Sequence, residues 1–198
     1  ALGGWPFPYR WDPGYGARLG VLPLGGAAEE VQWYDIEPCY IFHPVNAFDD
    51  GTRVVIDVVR HPKMFATDFF GPNEGSPAIW RYVLDRATGA VTESPLDDRA
   101  LEFPRVDERV VGRRHRYSWA VEVGLGTGGE VLWPGVGLVR HDAQTGASET
   151  RTFGPGRTVG EAIFVPRPNG ILEDDGWYLA LVHDHSTDRS ELVVIAGD

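Results

Sequence analysis

The chain has a single cysteine, Cys39, so no disulfide can form within it, and a reducing cytoplasm is the expected compartment. No signal-peptide pattern is in sight. No apolar run nears the ~20 residues needed to span a bilayer. Basic residues are few, 18 against 29 acidic ones, and the net charge is −11 at pH 7. An acidic excess of that size argues against nucleic acid or an anionic membrane as partner. There is no Gly-x-Ser-x-Gly elbow and no Walker loop. Nor is there a dinucleotide-binding unit of strand, glycine-rich turn and helix. Hydrolase-elbow, nucleotide and nicotinamide chemistry therefore lack support. Long helical periodicity is missing as well.

What remains is turn-rich. Among 198 residues there are 25 glycines and 15 prolines, a mixture that reads as short strands joined by many turns. The length fits one domain with a sizeable core. Residues 1–18, rich in proline and aromatics, read as an extended linker lying on a neighbouring surface, or alternatively as the wall of an apolar cleft. Leu19–Leu22 and Val31–Ile36 read as short strands. The apolar run Tyr40-Ile41-Phe42 predicts a buried strand with His43 at its end. A turn follows at Asp49-Asp50-Gly51, then a second strand over Arg53–Val59. Residues 60–78, with Phe65, Phe69 and Phe70 among Asp, Gly, Asn and Pro, read as an irregular apolar loop.

The next pattern recurs. Ile79–Leu84, the turn Asp85-x-x-Thr88-Gly89 and Ala90–Glu93 predict a hairpin with glycine at the left-handed position. Val136–His141, Asp142-x-x-Thr145-Gly146 and Ala147–Thr150 repeat it, and Trp177–Val182 with Ser190–Ile195 form a third, turning at Asp184–Asp188. The two Asp-x-x-Thr-Gly turns lie 57 positions apart; strand–turn–strand units recurring at roughly 40–50 residues, one period stretched by an insertion, point to propeller blades. At about 45 residues per blade the chain holds roughly four.

The stretch Phe42-His43-x-x-Asn46-Ala47-Phe48-Asp49 resembles the Phe-His-x-x-Asn-Ala-(Tyr/Phe)-(Glu/Asp) motif of the carotenoid cleavage oxygenases. Three further phrases follow the family's order. They are Arg18-x-Gly20-Val21-Leu22-Pro23, Glu102-Phe103-Pro104, and Gly160-Glu161-Ala162-Ile163-Phe164-Val165-Pro166 leading to Glu173-Asp174-Asp175-Gly176. Ala162 stands where the family often has proline. The resemblance runs from about residue 10 to the end.

It implies an all-β fold, residues 1–198 forming part of a seven-bladed β-propeller, the C-terminal portion of a larger domain. The chain opens on Ala1 and closes soon after an apolar strand, which also suggests a piece of a longer protein. By the resemblance, the whole protein would be a non-haem Fe(II) dioxygenase. It would use O2 to cleave a conjugated carbon–carbon double bond of a carotenoid, apocarotenoid or stilbene into two carbonyl products. It could touch a membrane peripherally to extract that apolar substrate. His43 would be one of four histidine ligands, two lying upstream and one beyond Asp198, so this piece alone would be inactive. Glu102 and Glu161 would be outer carboxylates that orient ligand histidines. Glu102 would serve His43, and Glu161 the ligand missing from the C-terminus.

The residues alone leave plainer readings open. An isolated histidine at a strand end is ordinarily a core residue with a satisfied hydrogen bond, and an isolated glutamate is ordinarily exposed. The remaining histidines fit no ligand position. His61 lies in a loop before Pro62, His115 in the basic run Arg113–Arg116 read as a solvated patch, and His141 before a turn. His183 and His185 lie at the last hairpin's turn. Two rival functions are a calcium-dependent propeller hydrolase of the lactonase type, for which Asn46 is the one tempting ligand, and a non-catalytic propeller scaffold.

Overall fold

The structure is a computed structural model that describes residues 8–69, 74–126 and 131–197, with only the backbone of 131–134. Phe70, placed by the sequence in the apolar loop, lies outside the described residues. Among the described residues thirteen antiparallel strands carry the fold, and the only helical pieces are two single turns at Ala28–Glu30 and Glu108–Val110. None is long and apolar enough to cross a membrane.

Strands β1 (Ala17–Val21) and β2 (Gln32–Ile36) form a two-stranded sheet. Strands β3 (Pro44–Asp49), β4 (Arg53–Arg60), β5 (Ala78–Asp85) and β6 (Val91–Pro95) form a four-stranded meander. The next four repeat the arrangement: β7 (Leu101–Arg105), β8 (Tyr117–Leu125), β9 (Val131–Asp142) and β10 (Ser148–Arg151). Three more follow, β11 (Arg157–Pro166), β12 (Gly176–Asp184) and β13 (Arg189–Ala196). The roughly four blades expected are thus two complete and two partial ones. Besides β8, strand β9 pairs with two further strands. Its later half pairs with β10, while Gly135 pairs with Val159 of β11 and joins the last two blades into one sheet.

The core lies between blades. Successive residues of a strand point to opposite faces, and here both faces are covered. On β4, Val58 packs with Tyr34, Tyr82 and Leu84, whereas Val59 packs with Ile79, Leu101, Ala120 and Val139. On β8 and β9, Ala120 and Val139 face that same cluster, while Val121 and Leu138 face the next one, with Trp119, Phe164 and Tyr178. Strands buried on both sides lose the simple apolar–polar alternation.

The two Asp-x-x-Thr-Gly turns are built alike. Asp85 Oδ1 accepts from the backbone of Ala87 and Thr88, and Asp142 Oδ1 from Gln144 and Thr145. Gly89 and Gly146 close them at φ 73° and 74°, where a Cβ would be strained. The β3–β4 turn also falls where the sequence puts it, with Asp49 and Asp50 accepting from Gly51 and Arg53.

One strand is displaced. Tyr40-Ile41-Phe42 makes only the Tyr40–His61 bridge, and β3 begins at Pro44. His43 therefore precedes the strand rather than ending one. Proline lacks the N–H a ladder needs and is tolerated at the first strand position; a register shift between Pro44 and Asn46 then breaks regular pairing beside His43. Residues 8–16 touch the loop that holds Phe65, and Tyr15 and Gly16 line a cavity with Leu19 and Trp33. The Tyr9 ring stacks on Phe65 at 5.9 Å, and Trp11 N–H donates to Phe65 O.

Candidate metal centre

His43 and His61 are brought side by side by the β3–β4 hairpin. The His43 carbonyl accepts from Val59 N–H at 2.9 Å, and Tyr40 and His61 exchange backbone hydrogen bonds of 2.8 and 2.9 Å. Both imidazoles are thereby held on one side of the hairpin's end, facing β7 of the next blade.

Glu102 meets them there. Its strand is interrupted by a register shift between Glu102 and Arg105, and Phe103 adopts φ 52°. A bulky residue in that region is strained by about 1–3 kcal/mol, and an irregularity of this kind re-aims a side chain. Here it turns the Phe103 N–H onto Glu102 Oε2 at 2.8 Å. The same oxygen lies 2.7 Å from His43 Nδ1, and Oε1 lies 2.5 Å from His61 Nε2. Glu102 is 2% exposed. Burial opposes its ionisation, but the hydrogen bonds from His61, the Phe103 N–H and His43 outweigh it and hold the carboxyl below its ordinary range. The carboxylate is therefore charged and accepts from all three.

An ionised carboxylate can only accept, so the neutral His43 ring carries its hydrogen on Nδ1 and its lone pair on Nε2. That nitrogen has no hydrogen-bond partner among the described residues, and the His43 side chain is 43% exposed. The Phe103 ring packs 5.3 Å from the imidazole. Phe42 stands edge-on to His61 and Phe65, and close to Tyr40, so the histidine pair sits beside an aromatic wall.

His43 and Glu102 thus form the pairing expected from the sequence. Glu161 lies apart from them. It stands at a second strand irregularity, between Val159 and Ala162, and its carboxylate is ion-paired to Arg105 Nε at 2.6 Å. The side chain is 39% exposed, and no histidine among the described residues pairs with it. Its solvent-facing position is stabilised by the guanidinium instead.

Two histidine readings are corrected. His61 is wholly buried and shares Glu102 with His43. His115 is 5% exposed, not part of a solvated patch. Its Nδ1 lies 3.2 Å from Asn46 Nδ2 and its Nε2 3.6 Å from Asp57. Asn46 itself is fully engaged. Its amide nitrogen donates to Val110 O and Arg113 O, and its oxygen accepts from Ala47 and Gly112 N–H. No oxygen lone pair is left aimed at a cation, which removes the calcium-ligand reading of Asn46. His183 and His185 lie at the last hairpin's end, as read from the sequence.

Among the described residues no three His, Cys, Asp or Glu groups converge as a complete metal site. The donor chemistry at His43 nonetheless fits a metal. An imidazole whose second nitrogen donates to a buried carboxylate is fixed in tautomer and direction, as metal-ligating histidines are.

Comparison with known proteins places the chain in a family. The family model for Retinal pigment epithelial membrane protein matches residues 3–198. A carotenoid cleavage oxygenase of Mycobacterium tuberculosis is 41% identical over 197 residues, covering 95% of this chain and 39% of that protein. The apocarotenoid-15,15'-oxygenase of Synechocystis is 30% identical over 193 residues, covering 94% and 38%. A crystal structure of the cobalt-substituted Synechocystis enzyme superposes with a TM-score of 0.83 at 29% identity, over 94% of this chain and 40% of the other. The chain spans about two fifths of the length of these relatives.

Proposed function

Because the chain belongs to the carotenoid cleavage oxygenase family, we propose that it carries one corner of a non-haem Fe(II) centre in a dioxygenase. The protein would cleave a conjugated double bond of a carotenoid, apocarotenoid or stilbene. Overall, one O2 is consumed, the carbon–carbon double bond is broken, and each of its carbons gains one oxygen as a carbonyl. His43 would be a ligand through Nε2, with the other ligands supplied from outside these residues. The iron, when bound, supplies the means of activating O2.

The observation that carries this reading is the His43–Glu102 pair. Glu102 takes the Nδ1 hydrogen, so the Nε2 lone pair is always presented and never needs a tautomer change. The burial of Glu102 keeps water from competing for that hydrogen bond. Glu161 is proposed to orient a ligand histidine outside the chain, exchanging Arg105 for it when the site is complete. Phe42, Phe65, Phe103 and Tyr40 supply apolar surface of the kind a long conjugated substrate needs. Extraction of that substrate implies peripheral contact with a membrane, and the single free Cys39 suits a reducing cytoplasm.

The test is His43→Ala in the full-length protein, with bound iron measured by elemental analysis and alkene cleavage by product detection. Iron content should fall to background and turnover with it. Iron content equal to that of the parent would overturn the assignment, and calcium in place of iron in the parent would favour the hydrolase reading.

A further inference from the structure

We propose that His61 is a positioning residue of the metal centre. By holding the second oxygen of Glu102 it fixes the plane of that carboxylate, and so the direction in which His43 presents its free nitrogen. This rests on the reading of His43 as a ligand.

A glutamate carboxylate turns easily about its last bond, whose torsion has broad wells. Two donors, His43 Nδ1 and Phe103 N–H, share Oε2. Hydrogen bonds to one oxygen leave the carboxylate free to swing about it. The His61 contact of 2.5 Å to Oε1 removes that freedom. His61 is a rigid anchor for the purpose. It is wholly buried, its backbone is paired with Tyr40 in both directions, and its ring meets Phe42 edge-on at 5.3 Å.

The other ring nitrogen decides the tautomer. His61 Nδ1 is buried with no hydrogen-bond partner among the described residues. A hydrogen on Nδ1 would leave a buried N–H unpaired and turn the Nε2 lone pair toward the Glu102 carboxylate. Placing it on Nε2 leaves only an unpaired lone pair, and orphaned buried donors are the rarer case. His61 is therefore locked as an Nε2–H donor to Glu102. Glu102 becomes a carboxylate clamped between two imidazoles. One, His43, is half-exposed and offers a nitrogen outward. The other, His61, is buried and braces the arrangement from behind.

A histidine that merely fills the core would be replaceable by any side chain of similar volume. The test compares His61→Leu, which keeps bulk and removes the donor, with His61→Gln, whose amide can still donate to Oε1. Fe(II) affinity of the full-length protein is measured by chelator competition, with Tm of the metal-free protein recorded alongside. His61→Leu should weaken Fe(II) binding by about 10–100-fold, the usual effect of losing an outer partner, and His61→Gln should restore most of it. Equal affinity of His61→Leu and parent, or equal weakening in both variants, would overturn the proposal. If His61→Leu does not fold, nitrogen NMR of the ring in the zinc-substituted parent decides. The Nε2–H tautomer supports the clamp and the Nδ1–H tautomer overturns it. His43→Ala in the same assay separates the two levels. Iron lost there but kept in His61→Leu sinks only this inference. Iron kept in His43→Ala sinks the ligand reading beneath it.

Discussion

A buried carboxylate is costly unless its oxygens are engaged, and Glu102 meets that condition with two imidazoles and a backbone N–H. A glutamine there has one acceptor oxygen and an amide that must face a donor. Glu102→Gln should therefore turn one imidazole out of place and reduce Fe(II) affinity of the full-length protein by about 10–100-fold, read by chelator competition. Acid should act in the same direction. The carboxyl is held below its unfolded value of 4.5, so its stabilising contribution is complete above about pH 4.5 and is lost as pH falls through the lower folded value. His115 behaves likewise higher on the scale. Burial, against the pull of Asp57, lowers it below 6.5, so the folded state favours the neutral ring. Its contribution is full above pH 6.5 and disappears as pH falls through the folded value. Replacing His115 with Gln should flatten the fall in Tm just below pH 6.5. An unchanged Tm profile would show that His115 is not the titrating group. The pairing of His43 with Glu102 was legible because a motif names each residue. His61 carries no motif, yet the hairpin register did contain it. Counting back from the Asp49-Asp50-Gly51 turn puts residues 59–61 opposite 40–44. His115 was misread because charge in the run Arg113–Arg116 suggested solvent, whereas the loop is pulled inward by Asn46.

At the scale of elements, the three hairpins were legible because Asp and Thr mark their turns chemically, with Gly89, Gly146 and, in the third, Asp188 at the left-handed position. β8 and β11 lack that signal. β8 is covered on both faces, and β11 carries apolar residues on its packed and its exposed face alike, so periodicity did not mark them. Asn46 shows how an element depends on one side chain. It joins β3 to the loop around Glu108–Val110 through three backbone groups of that loop, and its oxygen also accepts from Ala47 N–H within β3. Asn46→Ala would leave several of these unpaired and should lower stability by about 2–3 kcal/mol in denaturant unfolding of the full-length protein. Gly135 is the corresponding point between the last two blades. A methyl there would overlap Val121 Cγ1 and press on the Glu122 and Val159 carbonyls. Val121 is stiff and buried, so it has nowhere to move. Gly135→Ala should cost about 1–3 kcal/mol by overpacking, whereas Gly89→Ala, in an open turn with nothing near, loses only the glycine's left-handed conformation.

At the scale of the whole molecule, one face is conspicuously uncovered. Leu181 lies opposite Leu192, and Leu179 opposite both Ile163 and Val194. Opposed residues share a side of the sheet, so Ile163, Val165, Leu181, Leu192 and Val194 form a contiguous apolar face on β11–β13, all of them exposed. The opposite face of the same strands is fully packed by Phe164, Tyr178, Ala180 and Val182. In a chain that spans about two fifths of its relatives, such a face is where the next blade would pack, as each earlier blade packs on its neighbour. Residues 1–198 alone should then associate, since exposed apolar sheet faces and open edges recruit partners. Sedimentation of the isolated chain as a single cooperative monomer would count against this. The double variant Leu181→Lys with Val194→Glu distinguishes blade packing from general stickiness. In the isolated chain it should reduce association and change Tm little, because both sites are at the surface. In the full-length protein the same pair should destabilise strongly, by about 1.5–3 kcal/mol for each apolar side chain no longer buried, plus the burden of two buried charges. A full-length variant as stable as its parent would mean that nothing covers this face, and the ring of blades would have to close elsewhere.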